Sequence, residues 1–194
     1  MKKNSEFLKI TPDMKEGIDY ISLVEQSNHY IGKKLYPNSL GTFDTIIGNV
    51  ISIQRFMQYV SIHRFPSKYL LQKNLNRKDV ALITSLTTLD LPNYWALMCY
   101  ALCCKVQSNK KLKHALKTNT LPLTIVLNKK DEILEEETLV NFTKQGNYLA
   151  IVRSVEELIK EDKFTPADIK NLIDFYKQEK DLDLWAGTKD LLNR

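Results

Sequence analysis

A chain of 194 residues, 43% hydrophobic and 26% charged, has enough apolar material for one domain with a substantial core, and that balance excludes a disordered or low-complexity polypeptide. The formal charge of +5 permits contact with nucleic acid or another anion without requiring it, because the lysines are spread along the chain. No apolar run reaches the roughly 18 residues of a membrane span, and no apolar core follows the charged start Met1-Lys2-Lys3, so a cytoplasmic protein with no membrane partner is expected.

Residues 1–20 mix charge with few apolar anchors and contain Pro12 and Gly17, the pattern of a lightly held arm. Between 21 and 36 the apolar residues Leu23, Val24, Tyr30, Ile31 and Leu35 are isolated, and the sequence then enters Tyr36-Pro37-Asn38-Ser39-Leu40-Gly41. Each of proline, asparagine, serine and glycine favours a turn for its own backbone reason, so this is a loop. Phe43 opens a hairpin: the β-prone runs Thr45-Ile46-Ile47 and Val50-Ile51 flank Gly48-Asn49, a pair that accepts the positive φ of a tight turn. Ser52 then caps a helix in which Ile53, Phe56, Met57 and Val60 recur at i, i+3, i+4 and i+7 and leave Gln54, Arg55 and Gln58 on the flank. This helix is expected to stop near Pro66.

Residues 68–89 suggest one or two short helices, the second capped by Asn76. Asp90-Leu91-Pro92 reads as a helix start, and Trp95, Met98, Cys99, Leu102, Cys103 and Val106 fall at helical spacing in what should be the central helix, 93–106. Cys99, Cys103 and Cys104 have no second Cys or His cluster to complete a zinc site, so they are expected as buried free thiols. A further helix is expected over 110–117. The lysines Lys105, Lys110, Lys111, Lys113 and Lys117 invite a phosphate-binding reading, although a solvated helix face is the commoner meaning of such a pattern.

Leu121 to Leu127 has the β-branched content of a strand closed by the turn-like 128–131, and Glu132, Glu135, Glu136 and Glu137 form an acidic run expected at the surface. Gly146-Asn147 should open a helix with Leu149, Val152, Val155, Leu158 and Ile159 on its apolar side. Thr165-Pro166-Ala167-Asp168 combines a threonine cap, a first-turn proline and an acid three residues after the cap, so it starts another helix, and 182–192 suggests one more. The fold class that follows is mainly α with a few short strands (α+β). It divides into an N-terminal arm and lead-in (1–34), a domain (35–160) and a C-terminal helical extension (161–194). No phosphate loop, dinucleotide fingerprint, nucleophile elbow or zinc motif is present.

The order of these pieces resembles the NADAR (YbiA-like) family, compact helical N-glycosidases that act on ADP-ribose linked to guanine or to riboflavin intermediates. The resemblance rests on Tyr36-Pro37, Phe43, Thr45-Ile46-Ile47-Gly48, Gln54-Arg55-Phe56-Met57-Gln58-Tyr59, Ala101-Leu102 with Lys105 and Gln107-Ser108-Asn109, and Gly146-Asn147-Tyr148-Leu149-Ala150. It implies a single NADAR-like domain over 35–160 and a ligand-binding site drawn from Tyr36, Gln54, Arg55, Lys105 and Asn147, with ADP-ribose as ligand and no cofactor or metal.

The departures from the family pattern bear on its chemistry. Where the family carries a glutamate at the head of its first helix, this chain has Gln54. A neutral amide can hydrogen-bond ribose, but it neither takes a proton from water nor places negative charge beside an oxocarbenium ion. Gly32-Lys33-Lys34-Leu35 replaces the family's Ser-Asn-Phe segment, and its Tyr-Trp-Gly-Asp signature is missing. The resemblance therefore implies a binding protein with little or no glycosidase activity and no assigned catalytic residue.

Bacteriophages carry NADAR-like proteins that oppose DarT, a toxin that ADP-ribosylates DNA. The Lys- and Asn-rich, Gly-poor composition suits an AT-rich genome of the T-even kind, so the implied partner is a DarT-like ADP-ribosyltransferase or ADP-ribosylated DNA in a bacterial cytoplasm. Two other readings remain open: an active N-glycosidase that uses another acid, with Asp44 the nearest to the hairpin, and a nucleic-acid-binding accessory protein that uses the lysine-bearing helices.

Overall fold

The computed structural model describes Leu8 and residues 10–61, 67–79, 93–125 and 136–178, with backbone only for 136–146 and 178. The stretches 80–83, 90–92 and 128–131, Glu132, Glu135, Pro66 and 182–192, on which several expectations fall, lie outside these residues. The described chain is mostly helical with four short strands, and no helix in it is long and apolar enough to cross a membrane.

Helix α3, Tyr94–Gln107, is the centre. Trp95, Ala96, Met98, Cys99, Ala101, Leu102, Cys103 and Val106 are all buried, so the helix is apolar around most of its circumference and must be covered on several sides. Its neighbours are α2 (Ile53–Ser61), α4 (Lys110–Thr118), α5 (Glu136–Lys160), α6 (Pro166–Gln178) and strand β2 (Phe43–Thr45). The caps expected at Ser52, Asn76 and Thr165 are present, and Asn109 adds one that was not expected. Ser52 Oγ accepts from the Arg55 N–H at 3.2 Å, Asn109 Oδ1 from the Leu112 N–H at 2.9 Å and Asn76 Oδ1 from the Asp79 N–H at 2.9 Å. Thr165 Oγ1 accepts from the Asp168 N–H and donates to the Asp168 carboxylate. Where a short helix was expected near Tyr69, the chain makes a 3-10 turn, Ser67–Tyr69.

Three expectations are corrected. First, β2 pairs antiparallel with β3 (Gly48–Val50), with Phe43 opposite Val50 and Thr45 opposite Gly48, so the turn is Ile46-Ile47 and not Gly48-Asn49. Gly48 still takes the positive φ, at 100°, one residue after the turn. There it relieves the two β-branched isoleucines of a conformation they would resist, while Thr45 Oγ1 closes the loop onto the Gly48 carbonyl at 2.7 Å. Second, Gly146-Asn147 does not open a helix but lies inside α5, which starts ten residues earlier at Glu136. A glycine within a helix costs about 1 kcal/mol and is tolerated where packing on both sides carries it. Third, Lys105 does not belong to a solvated lysine face: it is only 3% exposed.

A fourth feature is absent from the sequence reading. Strand β1, Ile21–Ser22, pairs in parallel with β4, Leu123–Thr124, and the Arg153 guanidinium on α5 donates to the Leu123 carbonyl at 2.7 and 3.1 Å. Helix α1, Tyr30–Leu35, lies against this pair so closely that a Cβ on Gly32 would stand 2.1 Å from the Ser22 carbonyl and 2.3 Å from Ser27 Oγ. The core thereby includes Ile21, Leu23 and Ile31 from the N-terminal stretch, and Ile169, Leu172 and Tyr176 from α6.

Candidate functional site

The loop after α1 organises the candidate residues. The Tyr36 N–H ends α1 on the Gly32 carbonyl, and the Ser39 N–H turns back to the Tyr36 carbonyl at 2.9 Å. Such a loop leaves carbonyls that need donors, and other elements supply them. The Tyr148 hydroxyl of α5 donates to the Leu35 carbonyl; the Gln54 N–H at the start of α2 donates to Pro37 at 3.1 Å; and the Lys105 ammonium of α3 donates to Ser39 at 2.9 Å. Lys34 reaches the Leu40 carbonyl at 3.4 Å, and the Gly41 N–H donates to Ile51. Residues 35–41 therefore fasten three helices to one short run of backbone.

Of the five residues named from the sequence, Tyr36 lies in this run, Gln54 and Lys105 bond to it, Arg55 follows Gln54, and Asn147 is tied to it only as the residue before Tyr148 on α5. Tyr36 is half-buried within the run. Gln54 is tied to it through its backbone, while its carboxamide stands exposed in the first turn of α2. Arg55 follows, half-buried, its guanidinium donating to Gln58 Oε1 at 2.8 Å, and desolvation draws its pKa downward. Burial, with the like charge of Lys34 as a smaller cause, lowers the Lys105 pKa from 10.5 to about 7. Asn147 precedes Tyr148, whose fully buried phenol is held far above its usual range and so remains a donor to Leu35.

Two features of this region are unbalanced. Lys34, Arg55 and Lys105 form no ion pair with any carboxylate among the described residues, and Lys105, with its pKa brought to about 7, is only partly charged at neutral pH. Asn147 is 3% exposed, and among the described residues neither its amide nitrogen nor its oxygen has a hydrogen-bond partner. Such a group is costly, about 1 to 3 kcal/mol, and a retained one calls for an explanation.

Asp44, the alternative acid, is exposed on β2; burial chiefly raises the pKa of Cys104 on α3, and the Asp44 charge adds to it as a smaller cause. Nearby, the Tyr100 hydroxyl accepts from the Ile46 N–H at 2.7 Å and pins the hairpin tip, where Ile46 is 86% exposed. Cys99 and Cys103 are buried free thiols that interact with each other, whereas Cys104 is only half-buried. Among the described residues no three His, Cys, Asp or Glu side chains gather as metal ligands.

Sequence reasoning did not pick out Lys34 and Tyr148. Tyr148 lay inside the Gly146 to Ala150 match, and a tyrosine in an apolar helix stretch was a signal that a buried hydroxyl needs a partner. Comparison of the chain with family models, with curated proteins and with solved structures finds no match.

Proposed function

We propose that this protein binds an ADP-ribose unit and opposes a DarT-like toxin by gripping the toxin or its ADP-ribosylated DNA, without efficient cleavage of the N-glycosidic bond. The observation that carries the reading is the Asn147 carboxamide, buried and without a partner among the described residues, on the helix whose next residue, Tyr148, holds the loop. ADP-ribose offers the two things this region lacks. Its diphosphate supplies negative charge for Arg55 and Lys105, and its hydroxyls and base edge both donate and accept, as a carboxamide requires. Tyr36 supplies an aromatic face for the adenine. Gln54 stands where the resemblance implies a glutamate; it can hold a ribose hydroxyl but cannot act as an acid or base.

The test is calorimetric titration of ADP-ribose, with chromatography of ADP-ribosylated guanine after incubation. Saturable binding with no release of ADP-ribose is expected, and Gln54→Glu should introduce slow release. Absence of heat at millimolar ADP-ribose would contradict the binding part; rapid release by the wild-type protein would contradict the non-catalytic part.

A further inference from the structure

The positive charge of this chain is concentrated on two neighbouring helices. Helices α1 and α4 pack together and carry Lys33, Lys34, Lys110, Lys111, Lys113 and Lys117 but no acidic residue. Those six belong to a total of 28 basic residues, so the rest of the chain has 22 against 23 acidic ones and is, formally, one charge negative. The whole surplus of +5 therefore resides on this helix pair.

Helical spacing explains the arrangement. Leu112 and Leu116 are buried, which turns Lys110, Lys111, Lys113, His114 and Lys117 outward, and all five are exposed. Lys111 Nζ lies 4.9 Å from the centre of the Tyr30 ring at the head of α1, joining the two helices into one face. Lys117 pairs with Asp162, and Lys113 lies 5.2 Å from the Phe164 ring, so these two are partly committed. Lys33, Lys110 and Lys111 have no carboxylate partner among the described residues.

The geometry points to the α1–α4 face as a docking surface for the phosphate backbone of nucleic acid, read without regard to base sequence. A nine-residue helix is about 13 Å long and so runs beside about four phosphates of one strand. A membrane surface fits less well. Among the described residues the exposed large apolar side chains, Ile18, Leu40, Ile46 and Leu71, all lie outside these helices, and the face has nothing to insert between lipids. This inference is independent of the ADP-ribose reading, because unmodified DNA is the probe.

The experiment is fluorescence anisotropy of a labelled 20-base-pair duplex of mixed sequence titrated with the full chain from 20 to 200 mM salt. Wild type should bind with a log–log salt slope of about −3 to −4. Charge reversal at Lys33, Lys110 and Lys111 to Glu should weaken binding at least 30-fold at low salt and flatten the slope to about −1. Reversal of three exposed lysines elsewhere, Lys73, Lys78 and Lys170, makes the same change in net charge and should stay within threefold of wild type. Should the first variant fail to fold by circular dichroism, Gln at the same three positions carries the test, with a tenfold loss expected. Equal losses for the two sets, no duplex binding at 20 mM salt, or binding to phosphatidylserine vesicles in place of DNA would each overturn the assignment.

Discussion

Lys105 shows how one residue can be read from two patterns that disagree. Counted with its lysine neighbours it belongs to a charged face, but it also stands at i+3 from Leu102, i+4 from Ala101 and i+7 from Met98, all buried. The apolar spacing is the stronger constraint, because helix geometry fixes which face a residue occupies whatever its charge. The consequence is a pH-dependent cost. In the unfolded chain the amine titrates near ~10.4, whereas in the folded protein burial and Lys34 bring it to about 7. Between these values the unfolded chain holds a proton that the folded chain lacks, so the contribution of Lys105 to stability improves as pH rises from about 7 towards 10, and its cost is greatest below 7. Lys105→Met should therefore be the more stable protein relative to wild type at pH 6, with an advantage that shrinks by on the order of 1 kcal/mol per pH unit above pH 7. Urea unfolding at pH 6, 8 and 9.5 measures this, and a constant difference would show that the amine is not desolvated. The burial of Asn147 was not legible, because the preceding glycine read as a boundary and polar residues at helix starts are exposed.

The elements with local signals were the easiest to read. A cap is a side chain bonded three residues ahead, and Ser52, Asn76 and Thr165 were visible in sequence because cause and effect lie within one turn. The hairpin was legible in its existence and not in its register. Gly48 announces a positive φ, but a glycine serves equally within a turn or just after it, and the side chains packing on α3 decide between the two. Helix α1 depends on a glycine of a different kind. Gly32 has ordinary helical φ and is needed for space, since a methyl group there would meet the Ser22 backbone carbonyl, which cannot rotate away as a flexible side chain would. Gly32→Ala is expected to destabilise the protein by about 2 to 3 kcal/mol, despite the higher helix propensity of alanine. Thermal unfolding monitored by circular dichroism checks this, and an unchanged or higher midpoint would contradict the close packing of α1 on β1.

Across the whole molecule, the central position of α3 was predictable because a helix apolar on nearly all sides has to be enclosed. The joining of β1 to β4 was not, since two-residue strands about a hundred residues apart leave no periodic trace in either segment. The order of motifs named Tyr36, Gln54, Arg55, Lys105 and Asn147 together, whereas the bonds made to the loop by Tyr148, Lys105 and the Gln54 amide are long-range and appear only in three dimensions. In the proposed function, the buried Asn147 carboxamide is kept for a ligand at a cost to the fold. Thermal unfolding of wild type and Asn147→Leu, each with and without millimolar ADP-ribose, tests it most directly. Replacing an unpartnered carboxamide with an apolar group of similar shape should raise the midpoint by the equivalent of about 1 to 3 kcal/mol and abolish the stabilisation that ADP-ribose gives the wild type. A variant that melts lower than wild type, or one that ADP-ribose stabilises just as well, would contradict the claim.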